Sequence, residues 1–190
     1  MKNFINIKDI PVRDLKKILL DAKKRKAKRK KLNYLESDKD IPLKGRFLIQ
    51  MFEKSSTRTR LSFYLAIRQL GGGSLNLRKD ELHFGEGGES IHDTAKILSN
   101  YGDIFMFRTD SDKKLQEFKK YIKIPIINGL SPSSHPTQIL SDIFTIEEIK
   151  KKPIHNLNIC WIGDSNNVLN SLIVASVKFS FSLKIGVPKK

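Results

Sequence analysis

At 190 residues, 39% hydrophobic and 29% charged, the chain is long enough to bury one substantial core but short for two complete α/β domains, and its composition fits neither a disordered nor a fibrous protein. Its 36 Lys and Arg against 20 Asp and Glu give a formal charge of +16, which raises polyanions as partners. No apolar run reaches the roughly 18 to 20 residues that span a bilayer, and "MKNFINIKDI" lacks the features of a secretory signal, so the expected setting is cytoplasmic with no membrane partner.

The first predicted element is a helix over residues 12–31, where ten basic residues fall between Lys16 and Lys31 and where Ile18, Leu19 and Ala22 form a short apolar face. It reads as a solvated helix with a lysine-heavy end, because no zinc finger, basic zipper, RRM signature or aromatic stacking platform accompanies the charge; nucleic acid is therefore not an expected partner. Short apolar runs then alternate with amphipathic stretches. Strands are predicted at 46–52, 73–77, 103–109, 124–128, 158–164 and 182–187, with helices at 57–70, 90–101, 112–121, 136–151 and 167–180. Several strands lack alternation, as parallel strands covered on both faces do. Ser90 and Asp112 are predicted N-caps, and Gly71 ends the helix that precedes it. The single cysteine, Cys160, excludes an internal disulfide, forms no metal-ligand spacing with the four histidines, and reads as a buried strand residue. The expected fold is α/β: a parallel sheet with helices on both faces, plus the start of a second doubly wound α/β domain, apparently truncated, with the helix before Pro153 at the junction.

"FEKSSTRTRLSF" (52–63) follows the first strand and opens a helix. Backbone N–H groups at a helix N-terminus are unpaired and carry partial positive charge, so they hold anions. Ser56, Thr57 and Thr59 offer hydroxyls, and Arg58 can grip phosphate oxygens in bidentate fashion. Taken alone, the stretch is equally a Ser-capped helix start with two surface arginines. Arg108 in "FRTD" and His135 and Gln138 in "SSHPTQ" also follow strands, and the carboxyl ends of strands border the ligand crevice of an open α/β sheet. Singly, each of the three reads as a local or surface residue; the fold makes them neighbours.

Together, "FEKSSTRTRLSF", "HFGEGGESIHDTAKILS", "INGLSPSSHPTQIL" and "WIGDSNNVLNS" resemble the transcarbamylase family, its ornithine branch in particular, in family order along essentially the whole chain. The resemblance implies carbamoyl transfer from carbamoyl phosphate to the side-chain amine of L-ornithine, giving citrulline and phosphate without metal or organic cofactor. It implies a carbamoyl-phosphate-binding domain over 1–136, an interdomain helix over 137–152 and an incomplete amino-acid-binding domain over 153–190. Ser56, Thr57, Arg58 and Thr59 match the phosphate turn. Arg108 matches the arginine that bridges phosphate and carbamoyl oxygen, while His135 and Gln138 match the pair that holds the carbamoyl group. His83 matches a residue reaching into a neighbouring subunit's site in a homotrimer, and Asn167 one that contacts the amino-acid part of ornithine. In that chemistry Arg108, His135 and Thr59 stabilise the developing oxyanion, Arg58 the leaving phosphate, and alignment of two bound substrates supplies much of the acceleration.

Glu86 and Glu89 stand where aspartate-specific relatives carry lysine in this loop, which favours a cationic acceptor; putrescine is not separated from ornithine by these residues. The Asp-x-x-x-Ser-Met and His-Cys-Leu-Pro segments of ornithine enzymes do not occur in these 190 residues, and Cys160 lies in a predicted strand. The expectation is a fragment with a carbamoyl-phosphate site and little or no turnover of its own, or else a non-catalytic binding or basic interaction fragment.

Overall fold

β1 (Phe47–Phe52) reads FLIQMF and is buried along nearly its whole length, as a central strand covered on both faces must be. In the computed structural model, which describes residues 3–78 and 88–189, it pairs in parallel with β2 (Gly73–Arg78) on one side and β3 (Ile104–Arg108) on the other, and β3 pairs in parallel with β4 (Ile126–Leu130). The order is β2-β1-β3-β4. The linking helices are α2 (Thr57–Gln69), α3 (Ile91–Tyr101) and α4 (Asp112–Tyr121). The chain thus moves from β1 to one side and returns to pair on the other, so the reversal in strand order lies between the carboxyl ends of β1 and β3, where α/β sheets place ligands.

Alternation along the strands divides the core. Ile49, Met51, Phe105, Phe107 and Ile126 pack with Ala95 and Leu98 of α3 and with Leu115 and Phe118 of α4. Phe105, Phe107 and Phe118 interlock with ring centroids 4.9–5.7 Å apart, the spacing of favourable aromatic pairs. On the opposite face Leu48, Phe52 and Met106 pack with Ile67 of α2. A further cluster joins Leu15 and Leu19 of α1 (Val12–Lys28), Ile139 and Ile143 of α5 (Pro136–Lys150), and Leu172, Ala175 and Phe179 of α6 (Asn167–Phe179). Beyond α5, β5 (Asn158–Ile162) and β6 (Ser182–Gly186) form a separate parallel pair.

Expectations about α1, β4, the cap of α4 and Cys160 are corrected. α1 ends at Lys28 and tightens into a 3-10 turn over Arg29–Lys31; it packs through Leu15 and Leu19, one turn apart, while Ile18 is 45% exposed and Ala22 is exposed. Its bases are not uniformly solvated, since Lys23 and Lys26 pair with Glu147 and Glu148 of α5, and Arg25 and Arg29 converge on Asp38. β4 begins two residues later than predicted, because Pro125 has no N–H for the ladder, and it runs through Gly129. The cap of α4 is Ser111, whose side chain accepts from Lys114 N; Asp112 is the first helical residue and instead takes Ser133 N (3.1 Å) and Ser133 Oγ (2.8 Å). Cys160 is exposed, because only one face of the β5–β6 pair is packed.

Candidate anion-binding site

Ser56 caps α2, its Oγ accepting Thr59 N at 3.3 Å. The first-turn N–H groups of Thr57 and Arg58 have no partner within a helix, and the positive end of the helix dipole lies with them. Thr57 and Arg58 are exposed, and Ser56 and Thr59 are half-buried. The Ser cap read from the sequence is present, and it fixes a turn that carries hydroxyls, amides and a guanidinium together.

Arg108, the last residue of β3, lies across the strand-order reversal from that turn. Its Nη1 donates to Thr59 Oγ1 at 3.3 Å, whereas its Nε is buried without a hydrogen-bond partner. Burial and, after it, the nearby charge of Arg58 hold the Arg108 guanidinium below its ordinary pKa. Two cations thus sit close enough to disfavour each other, and among the described residues neither forms an ion pair with a carboxylate. An anion placed between two such groups relieves that repulsion.

His135 occupies the N-cap position of α5, with Pro136 fixing the first turn. It is 9% exposed, and burial first, then the charge of Arg108, push its pKa down to about 4, so the imidazole is neutral near pH 7. Its backbone N–H donates to Ser171 Oγ at 2.9 Å, and Thr137 Oγ1 lies 3.4 Å from Nδ1. Gln138 is brought to the same helix end but is exposed, and its Nε2 donates to Asp142 Oδ1 at 2.8 Å; burial raises the Asp142 carboxyl above its ordinary pKa. Asn167, the first residue of α6, donates from Nδ2 to Ser131 O at 2.8 Å, while Ser171 Oγ donates to Asn167 O at 2.9 Å. The His135 loop and the start of α6 are therefore tied together. His83 and Glu86 lie outside the described residues, and Glu89 accepts from Thr94 Oγ1 at 3.2 Å.

Sequence reasoning missed three of the residues that hold this arrangement and gave the fourth, Asp112, a different role. Glu53, Thr109, Asp112 and Ser171 act through partners far along the chain, so no local pattern marks them; only the lone acid between an apolar strand and a hydroxyl-rich turn hinted at Glu53. A separate groove of about 830 Å³ between α1, α2 and α5 is lined mainly by apolar side chains, among them Phe4, Phe63, Leu140 and Phe144, and lacks the converging arginines.

Residues 2–148 match the family described as aspartate/ornithine carbamoyltransferase, carbamoyl-P binding domain. The chain belongs to the aspartate/ornithine carbamoyltransferase family. Among carbamoyltransferases, an ornithine carbamoyltransferase of Brucella ovis is 42% identical over 189 residues, covering 100% of this chain and 58% of that relative. The solved ornithine carbamoyltransferase of Pyrococcus furiosus superposes with a TM-score of 0.90 at 36% identity, over 98% of this chain and 57% of the other. The anabolic ornithine carbamoyltransferase of Campylobacter jejuni gives 0.85 at 37% identity, over 100% and 59%. The chain spans about 58% of the length of the curated relatives it matches.

Proposed function

We propose that this site binds carbamoyl phosphate and that the chain is the carbamoyl-phosphate portion of a cytoplasmic, homotrimeric ornithine carbamoyltransferase, which carbamoylates the side-chain amine of L-ornithine to give citrulline and phosphate for arginine biosynthesis. The observation that carries the reading is the 3.3 Å bond from Arg108 Nη1 to Thr59 Oγ1, which sets Arg108 against the Arg58-bearing first turn of α2 at the strand-order reversal, with neither arginine paired to a carboxylate among the described residues. Relatives named ornithine carbamoyltransferase support the choice of acceptor. In this reading residues 1–136 form the carbamoyl-phosphate domain, 137–152 the joining helix, and 153–190 part of the amino-acid domain.

Each group then has a task. Ser56, Thr57, Thr59, Arg58 and the first-turn amides of α2 receive the phosphate and stabilise it as it leaves. Arg108 bridges phosphate and carbamoyl oxygen with the N–H groups that its own protein contacts leave over. A Thr137 hydroxyl donating to Nδ1 leaves the single proton of neutral His135 on Nε2, where it donates to the carbonyl oxygen as negative charge develops there. With Nε2 engaged by Asp142, Gln138 keeps its Oε1 to accept from the carbamoyl amine. Asn167 exchanges Ser131 O for the amino-acid portion of ornithine, and His83 acts in a neighbouring subunit's site.

Titration of the chain with carbamoyl phosphate tests the reading. Arg108→Ala is expected to weaken binding about 10- to 100-fold, the loss of charge-assisted hydrogen bonds worth about 1.5–3 kcal/mol. Unchanged affinity in that variant, or binding that depends instead on the basic run of α1, overturns it.

A further inference from the structure

We infer that Glu53 is a positioning residue for Arg108, fixing the end of β3 from which that arginine reaches the anion; the inference rests on the anion-site reading above. The Glu53 side chain is 0% exposed although it stands one residue past the end of β1. A buried carboxylate costs several kcal/mol unless it is fully partnered, and here both oxygens are engaged. Oε1 takes Lys114 Nζ at 2.6 Å, and Oε2 accepts the hydroxyl of Thr109. Glu53 N also donates to Arg108 O at 3.0 Å. Arg108 and the residue after it are thus held by one acidic residue through backbone and side chain together.

The need for that hold is visible in the sheet. The register between β3 and β4 shifts between Phe107 and Arg108, so Arg108 sits where the regular ladder is interrupted. Among the described residues its side chain adds only the 3.3 Å bond to Thr59, so the direction of the guanidinium depends on its backbone. Thr109 takes up the interruption: its N donates to Leu130 O at 3.0 Å, its hydroxyl receives Ser111 N at 3.1 Å, and the same hydroxyl donates to Glu53. Lys114 has a second task, since a bare carboxylate three residues from Ser56 would oppose a phosphate. Paired with Lys114, Glu53 steadies the site without contributing a free negative charge to it.

A double-mutant cycle on the full chain separates positioning from general stabilisation. Phosphate is titrated with NMR detection, which reads millimolar dissociation constants, into Glu53→Gln, Arg108→Ala and the double variant, with urea denaturation of each alongside. Glu53→Gln is expected to weaken phosphate about 5- to 10-fold when Arg108 is present and to have no effect when it is absent. Thr109→Val, which keeps the Glu53–Lys114 pair and the side-chain shape, gives the same pattern and serves if Glu53→Gln does not fold. An equal loss in both backgrounds, or no loss in either, overturns the inference while leaving the anion site standing. Unchanged affinity in Arg108→Ala alone removes the site and the inference together.

Discussion

His135 shows how a single side chain acquires its chemical state from its surroundings. An imidazole at ordinary pKa is partly charged near pH 6.5; burial under the α5 N-terminus and the proximity of Arg108 bring this one down to about 4. The unfolded chain therefore takes up the proton first as pH falls, so the contribution of this group is fully present above about pH 6.5 and is lost progressively towards pH 4. Asp142 works in the opposite direction: with its pKa raised by burial, its contribution is present at low pH and lost as pH rises through its folded value. Asp103 is held low by the hydrogen bond from Arg46 and by Phe47 N–H, so its contribution is lost only as pH falls through that lowered value. The His135 share is isolated by comparing wild type with His135→Asn in urea denaturation at several pH values. The variant is expected to lose up to one proton from the pH dependence of stability between about pH 6.5 and 4. Identical slopes for the two proteins would mean that the imidazole titrates normally in the folded state.

At the level of strands and helices, what could be read in advance was whatever the chain writes locally. Ser56 and Ser90 accept from the residues their cap positions require, and Gly71 takes the left-handed φ of 89° that closes α2. The turn at the start of α2 was legible because its hydroxyls and guanidinium are consecutive. The clamp behind it was not, since Glu53 meets Thr109 and Lys114 across 56 and 61 positions of chain. The bounds of β4 were misplaced because the apolar run was read straight through Pro125 and stopped before Gly129, whereas the strand starts after the proline and includes the glycine. Gly129 has its own reason to be there: a Cβ at that position would fall 2.3 Å from Met106 Sδ and 3.4 Å from Phe107 O. Met106 is fully buried, so it has little room to retreat. Gly129→Ala is expected to destabilise the chain by about 1–3 kcal/mol, as overpacking does, read as a lower urea midpoint. Combined with Met106→Ala, it is expected to cost less than the sum of the two single changes. Simple additivity would show that the strand moves aside rather than the methionine.

Across the whole molecule, two opposing forces act on the face of the β5–β6 pair that carries Cys160, which the sequence reading had taken for a buried residue. α6 packs against one side of the β5–β6 pair, through Ile159, Trp161 and Leu183, and thereby supports a two-stranded sheet that is marginal by itself. The other side presents Cys160, Ile162 at 86% exposure and Lys184, with Ile185 at 44% alongside, and in a two-stranded sheet both strands are edges. Apolar surface with unpaired edges favours self-association, while a formal charge of +16 keeps copies apart and also draws anions towards the Arg58–Arg108 turn. Salt weakens only the repulsion, because the Debye length shrinks from about 10 Å at 0.1 M to about 3 Å at 1 M. Self-association of the chain should therefore grow with ionic strength, the reverse of the behaviour of polyanion binding through α1. Sedimentation velocity at low and high salt measures it, with Cys160→Ser as the background to exclude intermolecular disulfides. Ile162→Lys places a charge in the centre of the bare face and is expected to abolish the salt-induced association. Phosphate affinity should stay the same, since Ile162 is 86% exposed on β5 while Ser56, Arg108 and His135 stand at the ends of α2, β3 and α5. Association that persists in this variant would assign the sticking surface elsewhere, with the apolar groove between α1 and α5 as the next place to mutate.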